Sequence, residues 1–283
     1  MINYVYLLIK YVISKGDFGM IFEKITLGIG KAELHVYKPD RVFTKEAILV
    51  IPGGGYGMVC SDREGEPIAL SYLSKGVTAF VLRYSVGKDA PINCPLVEAS
   101  AAIAYIRKNA ASLEVDPSKI YAVGFSAGGH LCASLGTLWH KEGVAKKANI
   151  EYGENMPNGV VLCYPVISGI NHPHIGSFHN LIGTKEPTKE QLEEYSLELH
   201  VDEKSAPAFI VHTAEDQLVP VQNALAIATA YANATRPFEL HVYPHGPHGM
   251  ALANHVTAGG VAAYIDERYE RWVDDSLAFF RSL

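Results

Sequence analysis

The stretch KIYAVGFSAGGHLCASL, residues 119–135, decides the fold. Its first part, Lys119–Gly124, reads as a β-strand, and its last part carries Leu131, Cys132 and Leu135 at helical spacing. Between them stands Gly124-Phe125-Ser126-Ala127-Gly128, a G-x-S-x-G. At a tight strand-to-helix turn the serine adopts strained dihedrals, and the flanking glycines leave room for neighbouring elements. The turn lifts the hydroxyl clear of the sheet. The following helix points its free N–H groups and positive dipole end at the same place. Ser126 is therefore the candidate nucleophile. The competing reading is a glycine-rich turn whose serine only caps the helix.

Outward from this turn, strands alternate with helices. Phe22–Ile29 and Glu33–Tyr37 read as an opening antiparallel pair, and Ala47–Ile51 as a strand buried on both faces. Val77–Arg83, Gly159–Tyr164, Ala208–Thr213 and Phe238–Tyr243 are further strands. Helices are expected over Glu66–Lys75, Pro95–Ala110, Thr188–Leu199, Val221–Ala234 and Tyr264–Arg281, with Thr188 and Gln191 forming a capping box. This alternation implies an α/β fold, a mostly parallel sheet covered on both faces. Residues 166–202 are polar and poor in strands, and are the candidate cap.

The 283 residues allow one or two domains; no linker or repeat divides residues 21–283, so one domain is expected there. With 48% apolar residues a sizeable core can form. The 24 basic against 30 acidic side chains give a net charge of −6, without the clustered Lys and Arg that nucleic acid requires. The four cysteines form no C-x-x-C pair, which suits free thiols in a reducing, cytoplasmic setting. Residues 1–20 are an N-terminal extension of uncertain role. Its apolar run Met1–Ile13 is too short to span a bilayer and a poor signal peptide, so no stable membrane insertion is expected. A terminal helix or strand packed on the body, or a loose extension, are its plain readings; Met20 as the natural start is another.

Acyl transfer at a serine needs oxyanion donors, a base and an acid that orients the base. Pro52-Gly53-Gly54-Gly55-Tyr56 directly follows the strand Ala47–Ile51. Gly54 and Gly55, with the N–H of Ala127, are the expected donors. A phosphate loop fails because no G-K-[ST] follows. The base should come late, after the last strand. His248 in Pro247-His248-Gly249 is the choice, with His245 the competitor in a backbone-bonded structural role. Asp216 follows the strand Ala208–Thr213 and is the acid, with Glu215 the alternative.

These residues resemble the α/β-hydrolase esterases, in particular the acetyl xylan esterase-like and feruloyl esterase-like branch related to hormone-sensitive lipase. The matching stretches are Pro52–Tyr56, Leu82-Arg83-Tyr84, Gly124–Gly128, Asp216–Pro220 and Pro247-His248-Gly249. Pro52 stands where relatives of hormone-sensitive lipase carry His, which leaves a backbone oxyanion hole intact. The resemblance implies an eight-stranded sheet and a serine esterase without cofactor. It also implies a small-molecule ester substrate with a short acyl group, acetyl first, and a sugar as one leaving group.

Tyr56 is expected either to line the acyl side or to cover the oxyanion loop. His179 is expected to line the pocket, and an Arg83 pairing with Asp62 or Glu64 to shape it. His172, His174 and His179 lack further ligands nearby in sequence, so no metal is expected. A homo-oligomer is left open. Two rivals stand beside the esterase. A prolyl-oligopeptidase-like peptidase would usually need a propeller for which the chain has no room. A non-catalytic ligand-binding scaffold commonly loses a triad member.

Overall fold

The structure, a computed structural model, describes residues 8–12 (backbone only), 20–42 and 44–283. Much of the N-terminal run, residues 1–7 and 13, lies outside the described residues. Among the described residues nine strands form one sheet: β1 Leu8–Val12, β2 Met20–Thr26, β3 Glu33–Pro39, β4 Ala47–Ile51, β5 Thr78–Arg83, β6 Ile120–Phe125, β7 Val160–Cys163, β8 Ala208–Thr213 and β9 Phe238–Tyr243. Their order is β1-β2-β3-β5-β4-β6-β7-β8-β9. The antiparallel pair is β2 with β3, and β3 joins β5 antiparallel. From β5 to β9 all pairing is parallel. The eight strands from β2 onward match the expected sheet; Leu8–Val12 adds a ninth at its edge, antiparallel to β2. Strand pairing is thus what the described part of the N-terminal run does.

Alternation along the central strands divides the interior in two. Ala47, Leu49 and Ile51 join one core, with Leu34, Phe80, Leu82 and Ile210. Ile48 and Val50 join the other, with Val81, Val123, Phe125 and Val211. The first core is closed by helices Pro95–Lys108, Ala127–Leu138 and Gln222–Asn233, the second by Glu66–Leu73 and Trp272–Ser282. At roughly 25 cal/mol per Å² of apolar surface, burial on both faces is the main drive to form the sheet.

Two expected helices are shorter than their patterns suggested. The C-terminal one begins at Trp272 because Asp266 Oδ1 accepts the N–H groups of Arg268 and Tyr269, holding that stretch in a turn. The Thr188 capping box forms, but the helix covers only Lys189–Glu194. Beyond it Ser196 Oγ accepts from Gly169 N–H and Ile167 O accepts from Leu197 N–H, so the backbone there serves the cap rather than a longer helix. The helix Ile175–Ile182 adds to the expected elements: Ile175, Phe178, Leu181 and Ile182 stand at helical spacing, and burial of Phe178 and Leu181 organises it. Among the described residues no helix is long and apolar enough to cross a membrane.

Candidate active site

The site lies at the C-terminal edge of the sheet, where the order of strands brings four loops together. β4 and β6 are neighbours in register, with Ile51 opposite Gly124. The glycine loop after β4 and the turn after β6 therefore leave the sheet side by side. A Cβ on Gly124 would collide with Gly128 O, and one on Gly128 with Ile51 O and Pro52 O, so both positions exclude a side chain. Ser126 between them has φ 53° and ψ −118°. Its N–H donates to Cys163 O, and its carbonyl accepts from Val166 and His130, which holds the strained turn in place.

β8 and β9 pair with Thr213 opposite Tyr243, so the loops carrying Asp216 and His248 also emerge together. Thr213 Oγ1 donates to Gly246 O. Arg63 donates to Gly249 O at 2.8 Å while its guanidinium stacks on Tyr264, and Trp272 Nε1 donates to Ala251 O. These contacts fix the histidine loop from both ends.

The three expected residues meet. His248 Nδ1 lies 2.7 Å from Asp216 Oδ2, and His248 Nε2 lies 2.8 Å from Ser126 Oγ. The Asp216 side chain is fully buried. Burial pushes its carboxyl up, but the bonds from His248 and Val219 outweigh that and hold it below its ordinary value. An ionised Asp216 only accepts, so Nδ1 carries the proton and donates to it. Nε2 is then the acceptor for the Ser126 hydroxyl. Asp216 Oδ1 is occupied by the N–H groups of Leu218 and Val219, both at 2.9 Å.

Gly54 has φ 124° and Gly55 φ 62°, which turn the loop back over Ser126. Among the described residues, no acceptor pairs with the N–H of Gly54 or Gly55, nor with that of Ala127 at the first position of the helix. The Gly53 N–H is different: it donates to Glu64 Oε2 at 2.8 Å. Glu64 is a site residue missing from the sequence reading except as a guessed partner of Arg83. Arg83 donates instead to Ser61 Oγ, and forms no ion pair with Asp62 or Glu64.

The competitors fall together elsewhere. His245 Nδ1 and Glu215 Oε1 pair at 2.9 Å on the exposed surface, so His245 binds a side chain rather than the backbone. Tyr56 is buried beneath the glycine loop with its hydroxyl 2.9 Å from His130 Nδ1, and it walls an inner cavity of about 580 Å³ that contains none of Ser126, Asp216 or His248. That is the loop-covering placement. Burial pushes the His130 imidazole down to about 4, with Tyr195 O as partner of its other nitrogen.

Residues 166–202 seat on the glycine loop: Asn180 Nδ2 donates to Gly55 O at 2.8 Å, and Asn223 anchors the segment's start through Ile167 and Ser168 N–H. His179 lines a separate groove with Lys88 and Lys185, whose walls include none of Ser126, Asp216 or His248. The cap histidine toward the site is His174, whose ring lies 3.8 Å from where a Gly55 Cβ would be. Burial, then the neighbouring His248, hold the His174 imidazole below its ordinary value. His174 caps the N-terminus of the helix Ile175–Ile182 while His179 lies inside it, and the two rings line different places. No group of three metal-ligating side chains occurs among the described residues.

Known proteins share this architecture. Endo-1,4-beta-xylanase B of Butyrivibrio fibrisolvens is 41% identical over 226 residues, 78% of this chain and 35% of that protein. The acetylxylan esterase of Xylanibacter ruminicola is 31% identical over 81% of this chain and 46% of that protein. The chain thus spans less than half the length of either relative. The crystal structure of an acetyl ester-xyloside bifunctional hydrolase from Caldicellulosiruptor lactoaceticus matches with a TM-score of 0.76 at 34% identity, covering 89% of this chain and 88% of that one. The α/β-hydrolase fold is therefore shared over nearly the whole length. The model of the BD-FAE family matches residues 34–231, from the first core strand through the nucleophile and the acid, and the chain belongs to that family.

Proposed function

We propose that the protein is a serine carboxylesterase that hydrolyses short-chain esters, acetyl esters of sugars first, through an acyl-enzyme. The observation that carries this is the Ser126–His248–Asp216 chain at 2.8 and 2.7 Å beside unpaired backbone N–H groups. Ser126 Oγ attacks the ester carbonyl as His248 Nε2 takes its proton. The N–H groups of Gly54, Gly55 and Ala127 stabilise the oxyanion. His248 then protonates the departing alcohol, and a water repeats the sequence on the acyl-enzyme. Asp216 fixes the tautomer and stabilises the imidazolium. The sugar reading draws on the relatives named for acetylxylan and acetyl ester-xyloside substrates. The peptidase and binding-only readings have no observation in their favour.

An organophosphonate probe should label Ser126 stoichiometrically, and Ser126→Ala should abolish both labelling and release of acetate from acetylated xylo-oligosaccharides. Acetate release undiminished in Ser126→Ala would overturn the mechanism. Release from simple acetyl esters but not from any acetylated sugar would overturn the substrate class alone.

A further inference from the structure

Glu64 occupies an unusual place. It ends the short helix Ser61–Glu64, is buried, and has no Lys or Arg ion-pair partner among the described residues. Both its carboxylate oxygens are used. Oε2 accepts the Gly53 N–H at 2.8 Å, and Oε1 accepts the Tyr164 hydroxyl at 2.8 Å. Tyr164 Oη in turn accepts the N–H of Ala251, three residues past His248, at 3.1 Å. The Tyr164 ring also meets the His248 ring edge to face, centroids 5.1 Å apart. The carboxylate therefore joins three segments distant in sequence: the glycine loop after β4, the end of β7, and the histidine loop. Tyr164 holds φ 38°, a strained position for a bulky residue, and its hydroxyl is the link between the last two.

Packing makes the arrangement specific. A Cβ on Gly53 would come within 2.7 Å of both Glu64 Oε2 and Phe125 O, and within 3.0 Å of Ser126 Cβ. Gly53 is thus pressed between the carboxylate and the nucleophile turn, and the N–H groups of Gly54 and Gly55 follow directly from where it sits. Burial holds the Glu64 carboxyl above its ordinary value, and the bonds from Tyr164 and Gly53 only partly oppose that. Gly53 and Tyr164 each donate to a different carboxyl oxygen, a pattern the charged form accepts well.

We infer that Glu64 is a positioning residue: with Tyr164 it sets the oxyanion donors of the glycine loop in register with His248. This rests on the proposed acyl-transfer reading. Because the oxyanion is absent from the bound ester and develops only towards the tetrahedral intermediate, loss of the register should lower kcat and leave KM little changed. A misplacement of about 1 Å can cost about a hundredfold.

The test uses the full chain carrying Glu64→Gln, Glu64→Asp and Tyr164→Phe, with rates expressed per active site titrated by a burst of an organophosphate ester. Glu64→Gln keeps the shape but must present an amide donor to one of two donors. We expect it to lower kcat on an acetyl ester about tenfold to a hundredfold with KM within twofold, and to weaken a boronic acid transition-state analogue by a similar factor. Tyr164→Phe should show the same split to a lesser degree, and Glu64→Asp, one methylene short, should not restore the rate. Wild-type kcat per titrated site in Glu64→Gln would overturn the inference. So would equal losses in KM and kcat, or boronate affinity left unchanged. Failure of the wild-type chain to react with the organophosphate would instead refute the acyl-transfer reading itself.

Discussion

Asp216→Asn makes the sharpest demand on the site. Oδ1 of Asp216 accepts from Leu218 and Val219, and Oδ2 accepts from His248 Nδ1. An asparagine has one acceptor oxygen. Two backbone N–H groups, the Val219 one buried, claim it, so its NH₂ must face His248. Nδ1 then becomes the acceptor, the proton moves to Nε2, and Nε2 now donates toward Ser126 instead of accepting its proton. Returning to the working tautomer sets two donors face to face, at roughly 1–3 kcal/mol for the unsatisfied pair. The charged bond to the imidazolium is also lost, about 1.5–3 kcal/mol. The sum, about 3–6 kcal/mol, spans the roughly ten-thousandfold loss that this exchange produces in other Ser-His-Asp enzymes. The assay is kcat on p-nitrophenyl acetate, with circular dichroism melts to show that the fold persists. A variant within tenfold of wild type would refute the tautomer argument. The same carboxyl has a depressed folded pKa, so its stabilisation is present above the unfolded value near 3.8 and is lost as pH falls through the lower folded value. Asp216→Asn should flatten that part of the melting profile.

Gly54→Ala should lower kcat by on the order of a hundredfold or more, because Gly54 holds φ 124° and a Cβ would strike Met58 O; steady-state kinetics per titrated site checks it. His130, pushed down to about 4 from 6.5, is neutral when folded and protonates more readily when unfolded. Stability should therefore decline by about 3 kcal/mol as pH falls from about 6.5 to about 4, and a fold-competent His130→Gln should show a shallower decline in urea titrations. His245→Ala and Glu215→Gln should change kcat less than twofold, since that pair is exposed and touches none of Ser126, Asp216 or His248; a large loss in either would reassign the base or the acid.

Signals carried by consecutive residues were legible before folding. Short continuous apolar runs and helical spacing marked the core strands and most helices. Gly124-Phe125-Ser126-Ala127-Gly128 marked the turn by its spacing, although only Gly124 is forced by a nearby residue, Gly128, while Gly128 is forced by the end of the neighbouring strand at Ile51 and Pro52. The chain order also separated Asp216 and His248 as candidates, but their rivals Glu215 and His245 stand one and three residues away. Only the direction of each side chain at the sheet edge decides between them, and that direction belongs to the paired β8 and β9 loops. His174 and His179 differ in the same way: a helix that is not evident from composition sets which one turns inward. Tertiary structure alone decided the placement of Glu64. Its partners are Gly53 and Tyr164, the latter a hundred residues further on, and they meet because β4, β6 and β7 lie side by side in the sheet. A buried carboxylate carries no local signature. Its burial is tolerated only because donors from distant segments converge on it.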